Sequence, residues 1–272
     1  MQTGFVALLD VLGFSALVLG ESAGDGLRRY VKTLQEALTV NQTPKRVDYV
    51  VFSDSIVLTT EDETDAALQS LLMRCSSMFG VMLQNEIPIR GAIAHGSYER
   101  SDNIGGARFP TSGVFVAGRS IIDAYNFEMR QDWVGVMLAP SAVKRLPDLA
   151  TRCDIGPVNA CRPEELKVIE TRLDWGAFVQ PCKSIPFHSP TPLEETTYDG
   201  FAVVPTNGIA TPEALRDDLL KSLERLRWLK SVAPNPAAQL KCERTHQWLY
   251  HVQYRWSQIA SYIAQYEADG KY

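Results

Sequence analysis

The stretch FVALLDVLGFSAL, residues 5–17, organises the reading of the whole chain. Phe5 to Leu9 is a short, unbroken apolar run, the pattern of a strand buried on both faces. Asp10 ends that run. A loop aspartate ordinarily follows polar residues, so one placed directly behind an apolar strand asks for a chemical reason as well as a turn. Gly13 marks the loop that follows, and Ser15 is placed to cap a helix.

Downstream, Leu27, Tyr30, Val31, Leu34 and Leu38 recur at helical spacing and predict a helix from Gly26 to about Val40. VDYVVFSDSIVLTT, Val47 to Thr60, has two β-rich arms around Ser53-Asp54 and reads as a hairpin. Asp62 to about Gln84 is helical again, with Leu68, Leu71, Leu72, Cys75, Phe79 and Leu83 on the inner face. Ile87 to Arg100 reads as a strand, and SDNIGGARFPTSG as a loop. Gly118 opens a further helix, and Trp133 to Leu138 returns as a strand. The order β-α-β-β-α-β, then a helix and a strand, predicts an α+β fold. Its core is a ferredoxin-like, palm-type sheet with helices on one face and the other face free to bind something.

Residues 1–147 are expected to form this core, and 148–272 a C-terminal extension packed on it. The extension begins Pro-rich and weakly periodic, with strand-like pieces near Lys167–Glu170 and Phe201–Val204. Two helices end it. Thr211-Pro212 caps the first, with Leu215, Leu219, Leu223, Leu226 and Leu229 on one face; Asn235-Pro236 caps the second, which ends near Gly270. The second is strongly aromatic, through Trp248, Tyr250, Tyr254, Trp256, Tyr262 and Tyr266. Such a pair packs on its own domain or presents a partner surface.

Composition removes several classes of function. A net charge of −5 excludes a nucleic-acid binder working through a broad basic face, although metal ions can still supply local positive charge. Asp10 breaks the first apolar run, and no other stretch reads as the roughly 20 apolar residues a spanning helix needs, so no membrane segment is expected. The cysteines at 75, 153, 161, 182 and 242 are odd in number and never spaced as CxxC, which suits reduced thiols in the cytoplasm. His246 and His251 are five apart, not the four of a zinc helix.

Asp54 taken alone is an ordinary turn residue. In a palm-type sheet, however, the first strand lies beside the hairpin, and the carboxylates of Asp10 and Asp54 meet on the open face. Two carboxylates brought together resist ionising unless a cation sits between them. A two-metal site resolves the conflict and serves displacement at phosphorus. The VLGFS loop just after Asp10 offers backbone N–H groups near a helix start, where a triphosphate can lie.

These residues resemble a family. FVALLDVLGFSAL is similar to the first-strand signature of class III adenylate and guanylate cyclases, an apolar run followed by D-[IV]-x-G-F-[ST]. FSDSIVL resembles the hairpin carrying that family's second metal aspartate, with Ser53 where glycine is usual. IRGAIAHGSY, from Arg90, resembles its R-[IV]-G-[IV]-x-x-G strand, with Gly96 matching. GRSIIDAYNFE resembles its G-x-x-[VI]-N-x-A-x-R-x-E helix, with Gly118, Ala124 and Glu128 in register. The four motifs span about residues 5–140 in the family's order. Ile122 and Asn126 occupy the places of the helix Asn and Arg, with Arg119, Asp123 and Arg130 nearby. Val50, with Tyr49 beside it, and Phe115 stand where purine-reading members carry Lys and Asp. These departures resemble the bacterial pyrimidine cyclases of anti-phage defence.

The resemblance implies a palm-type class III cyclase core and a catalytic pair, Asp10 and Asp54. It implies a metal set of Asp10, Val11 and Asp54 around two divalent ions, Mn²⁺ or Mg²⁺. Nucleotide contacts are implied at Gly13 and Phe14 through backbone N–H groups, at Tyr49 and Arg90, and at Asn126. It further implies a cytoplasmic homodimer that turns UTP or CTP into a 3′,5′-cyclic nucleotide read by a separate effector, with no nucleic-acid or membrane partner. The alternatives are a purine cyclase with unusual base recognition and a degenerate module that only binds a nucleotide or partner. A diguanylate cyclase fits the element order, but the hairpin is not GGDEF-like.

Overall fold

The computed structural model describes residues 1–19, 23–39, 43–101, 114–147, 178–188, 195–206 and 212–268. Strand β1 runs Gln2–Val11, longer than the apolar run alone predicts, and takes Asp10 into the strand instead of placing it after one. Two-sided pairing explains the extension. Asp10 pairs in register with Ser55 on one neighbour and with Arg90 on the other, so the ladder holds the backbone extended past the last apolar residue.

After β1 the chain makes a tight turn and a short helix that periodicity did not reveal, α1, Phe14–Leu19. Its first N–H groups, from Ala16 and Leu17, bond the Gly13 carbonyl, so Ser15 sits inside the helix and is not its cap. Gly13 takes φ +78°, a conformation glycine adopts without steric cost. Helix α2, Ala23–Thr39, follows. Then comes the predicted hairpin, β2 Val47–Phe52 and β3 Ser55–Thr60, joined by two residues. Helix α3, Asp65–Gln84, starts three residues later than expected because Thr64, not Asp62, caps it by accepting the Ala67 N–H.

Strand β4, Ile89–Ser101, carries the short β5, Phe115–Gly118, beside its far end. Gly118 lies at φ +155°, where a Cβ would stand 2.4 Å from the Tyr98 Cα; that close approach fixes the start of α4, Arg119–Met129. Strand β6, Gly135–Leu138, and the single turn α5, Pro140–Val143, complete the core. Strands β7, Val179–His188, and β8, Glu195–Val203, then extend the same sheet, and helices α6, Pro212–Val232, and α7, Pro236–Ala268, close the chain. The piece predicted near Phe201–Val204 lies in β8. The piece near Lys167–Glu170, the loop residues 102–113, Thr211, Gly270, the Tyr262 and Tyr266 side chains, Cys153 and Cys161 lie outside the described residues.

Among the described residues the sheet has eight strands in the order β2-β3-β1-β4-β6-β8-β7, with β5 on β4. The antiparallel run β2-β3-β1-β4 is the ferredoxin-like arrangement, and the architecture is the expected α+β palm with C-terminal helices. One face is sealed. Ala7, Leu9, Ile56 and Leu58 are fully buried in one cluster with Leu68, Leu71, Leu72 and Cys75 of α3. Each such aliphatic side chain contributes roughly 1.5–3 kcal/mol by leaving water. Helix α3 is apolar and long enough to span a membrane by composition, which the sequence reading did not credit, yet most of it is buried in the core. The free cysteines Cys75, Cys182 and Cys242 are buried too, and burial pushes their thiols up, out of reactive range.

The other face is not entirely free, which corrects the expectation of helices on one side. Gly96 backs onto Ser120 of α4, and Arg90 bonds Glu128 of α4, so α4 lies over β4 on the Asp10 side. The open part is β1, β3 and β2, where Leu8, Val50 and Val57 are half-buried. The C-terminal hairpin docks elsewhere. All five predicted α6 leucines are buried, Trp248 of α7 stacks edge-on against Trp133 at 5.2 Å, and the Thr245 hydroxyl bridges both backbone groups of Val134. The Asn235 side chain accepts the Ala238 N–H at 2.9 Å and caps α7 as predicted.

Candidate active site

The hairpin turn builds the first half of the site. Phe52 and Ser55 pair directly, leaving Ser53-Asp54 as a two-residue loop, and Ser53 takes φ +59°. Such turns place glycine there, and a non-glycine residue pays roughly 1–2 kcal/mol for the left-handed conformation. Two outside groups hold the turn. The Val11 N–H donates to the Asp54 carbonyl at 3.1 Å, and the Tyr30 hydroxyl of α2 donates to the Ser53 carbonyl at 3.0 Å. The first bond locks the hairpin tip against the end of β1, which is why two residues 44 positions apart in the chain share one site.

Asp10 is partly buried, and burial raises its carboxyl above the ordinary 3.8, the neighbouring Asp54 charge raises it further, and Arg90 draws it back. The Arg90 guanidinium lies 4.0 Å from the Asp10 carboxylate. That guanidinium is engaged elsewhere: it bonds the buried Glu128 carboxylate through Nε and the Gln131 carbonyl at 3.3 Å. Burial raises Glu128 more than Arg90 lowers it. Gln131 in turn donates to the Gly91 carbonyl and accepts from the Trp133 indole, closing a rigid floor beneath Asp10. Arg90 therefore braces Asp10 from below.

The chemistry of this donor set suits hard divalent cations. Two aspartate carboxylates are oxygen donors, and each is destabilised by the other unless a cation intervenes. Among the described residues no group of three or more His, Cys, Asp or Glu side chains gathers at one point, so a metal held here completes its shell from backbone carbonyls, water or phosphate oxygens. Val11 is buried and can contribute only its backbone.

The other predicted residues separate. Gly13 is exposed at the turn after β1, and Phe14 packs edge-on against Tyr30 at 5.3 Å, so the loop sits beside the aspartates. Tyr49 does not join them. Asp10, Ser55 and Phe52 are in register, so side chains at Val50 and Phe52 share the Asp10 face, whereas Tyr49 pairs with Leu58 and belongs to the opposite, α3-covered face near Arg74. The base-contact expectation at Tyr49 is corrected on that ground. Asn126 lies on the exposed side of α4 with Ile122, turned away from Glu128. Tyr30 and Glu128 are the residues whose site role the sequence did not disclose. Tyr30 entered only as an apolar position on a helix, and Glu128 only as a matching letter.

Behind the Gly13 turn, an apolar cavity of about 510 Å³ lies between Leu12, Val134 and the α6–α7 corner at Leu229 and Cys242. Its lining is mainly apolar, with Gly13, Asn235 and Lys241 as the polar or backbone-presenting members.

The raised Asp10 carboxyl has a measurable consequence. A folded-state value above the unfolded one means the folded protein binds that proton more tightly. The resulting stability is fully present below the ordinary 3.8 and is lost as pH rises through the raised value. In EDTA, wild-type stability by urea unfolding should therefore fall as pH rises above the ordinary 3.8, relative to the Asp10→Asn variant, which lacks the group. Parallel pH profiles for the two proteins would contradict this account of the site.

No protein-family model matches the chain, and no curated protein does. Solved structures similar to it include the adenylyl cyclase CyaB from P. aeruginosa, at 12% identity and TM-score 0.46 over 75% of this chain and 96% of that one. The guanylate cyclase domain of RhGC from Catenaria anguillulae in complex with GTP is similar at 10% identity and TM-score 0.45, over 75% and 97%. A class III adenylyl cyclase-like ATP-binding protein from Pseudomonas aeruginosa gives 15% identity and TM-score 0.44 over 56% of this chain, which spans only 36% of that protein.

Proposed function

We propose that this protein is a metal-dependent nucleotide cyclase of the class III kind, acting on a pyrimidine triphosphate. The observation that carries the reading is the meeting of Asp10 and Asp54 on an open sheet face beside the Gly13 turn. Asp10 and Asp54, with the Val11 backbone, would hold two divalent ions, Mn²⁺ or Mg²⁺. When bound, such ions acidify the ribose 3′-hydroxyl and neutralise charge on the phosphates. Gly13 and Phe14 present backbone at the loop where phosphates are held. Arg90, Glu128 and Gln131 keep Asp10 in place. In the reaction the 3′-oxygen attacks the α-phosphorus, its proton passes to water, and the α–β bridging oxygen departs with pyrophosphate.

The pyrimidine preference is supported by Val50, half-buried on the Asp10 face, and by exposed Phe115, neither of which can pair a purine edge. UTP is favoured over CTP on the resemblance to anti-phage pyrimidine cyclases, and with it a cytoplasmic signalling role through a separate effector. A homodimer completing each site is supported by the apolar surface around it: Phe52 is 81% exposed, and Ile122, Tyr125 and Met129 are each at least half exposed on α4.

Incubation with each of the four ribonucleoside triphosphates and Mn²⁺, followed by separation of products, tests the reading. Cyclic UMP or cyclic CMP is expected as the main product. Cyclic AMP or cyclic GMP in its place would refute the pyrimidine preference and leave a cyclase. A binding-only module is the second reading, favoured by Ile122 and Asn126 standing where the family has Asn and Arg; it predicts nucleotide binding with no cyclic product at all.

A further inference from the structure

We propose that the Tyr30 hydroxyl is a positioning group for the metal-carrying turn, holding the Ser53 carbonyl so that the Asp54 carboxylate stays directed at Asp10. The proposal rests on the divalent-metal reading given above. It starts from a conflict within the hairpin: Ser53 occupies φ +59°, where a side chain is disfavoured, and the residue that follows carries a ligand. A strained turn of this kind persists only when its surroundings over-determine it.

The surroundings do so at two points. The Asp54 carbonyl takes the Val11 N–H, and the Ser53 carbonyl takes the Tyr30 hydroxyl, so each peptide of the turn is fixed by a group from outside the hairpin. Tyr30 is itself buried, with only 3% of its surface exposed and its ring edge-on to Phe14. Phe14 opens α1 directly after the Gly13 turn. One buried ring thus packs beside the phosphate-side turn, and its hydroxyl ties down the metal-side turn. Packing of α2 requires only the ring, which phenylalanine would supply equally; the oxygen serves the turn. The hydroxyl is also neutral, pushed up to about 12 by burial and by the charges of Asp54 and Asp10, so it adds no third negative charge beside them.

The test uses Mn²⁺ as probe, with the free ion followed by electron paramagnetic resonance and no nucleotide or turnover involved. Tyr30→Phe should weaken Mn²⁺ binding about three- to tenfold, the fold-change of one lost hydrogen bond. Adding Ser53→Gly to Tyr30→Phe should recover most of the loss, because glycine takes a positive φ unaided. A hydroxyl with a merely structural part would lower the melting temperature in EDTA and leave Mn²⁺ affinity unchanged, and that result overturns the proposal while the metal site stands. If wild type and Asp54→Ala bind Mn²⁺ equally, the metal reading itself fails and takes this proposal with it.

Discussion

Replacing Asp10 or Asp54 by alanine is expected to abolish the proposed nucleotide turnover while leaving the fold in place. On the proposed reading each change would remove a hard oxygen donor from a site that has no third carboxylate among the described residues to replace it. Metal ions contribute several kcal/mol to such a transition state, and every 1.36 kcal/mol is tenfold in rate, so a loss of at least about 100-fold is expected. Apo stability should hold or rise, since either change removes one of two mutually repelling carboxylates. Steady-state assays with saturating Mn²⁺, alongside melting curves in EDTA, separate the two effects. A variant that keeps more than about a tenth of wild-type turnover would sink the assignment of the pair.

Glu128→Ala should be the most destabilising single change at the site. Glu128 is 2% exposed and bonds Arg90, whose side chain is 13% exposed, so the deletion leaves a guanidinium largely out of water without its closest counter-charge. Breaking a buried pair from one side costs about 3–5 kcal/mol, or on the order of 10 °C in a protein of this size. Glu128→Gln keeps an acceptor and should lose less than half of that. Thermal unfolding of both variants in EDTA decides the point. If Glu128→Ala melts within about 2 °C of wild type, Arg90 has another resting place and does not brace Asp10 in the way described.

The two outcomes differ because the residues differ in what they face. Asp10 and Asp54 look onto the open half of the sheet and, on the proposed reading, would contribute to chemistry more than to folding. Glu128 looks inward from α4 and contributes to folding, and through Arg90 to the setting of one carboxylate.

Much of this was readable in the chain itself. The hairpin at Val47–Thr60, the inner face of α3, the leucine face of α6 and the Asn235 cap all follow from spacing, because each depends on contacts within a few residues. Elements too short to show a period escaped: the six residues of α1 and the four of β5. The two aspartates were legible because an acid behind an apolar strand and an acid at a hairpin tip are both local signals. What they meet was not. The Asp10–Ser55 and Asp10–Arg90 registers join strands far apart in sequence, and a slip of one residue would have turned Tyr49 toward the site and Val50 away from it. Only the assembled sheet put Tyr49 on the covered face. Only the packing of α2 and α4 brought the Tyr30 hydroxyl to Ser53, 23 residues on, and Glu128 to Arg90, 38 residues back. Local pattern specifies which face of each element is apolar; the phase between elements is a property of long-range pairing, and the supporting groups of this site are set by that phase.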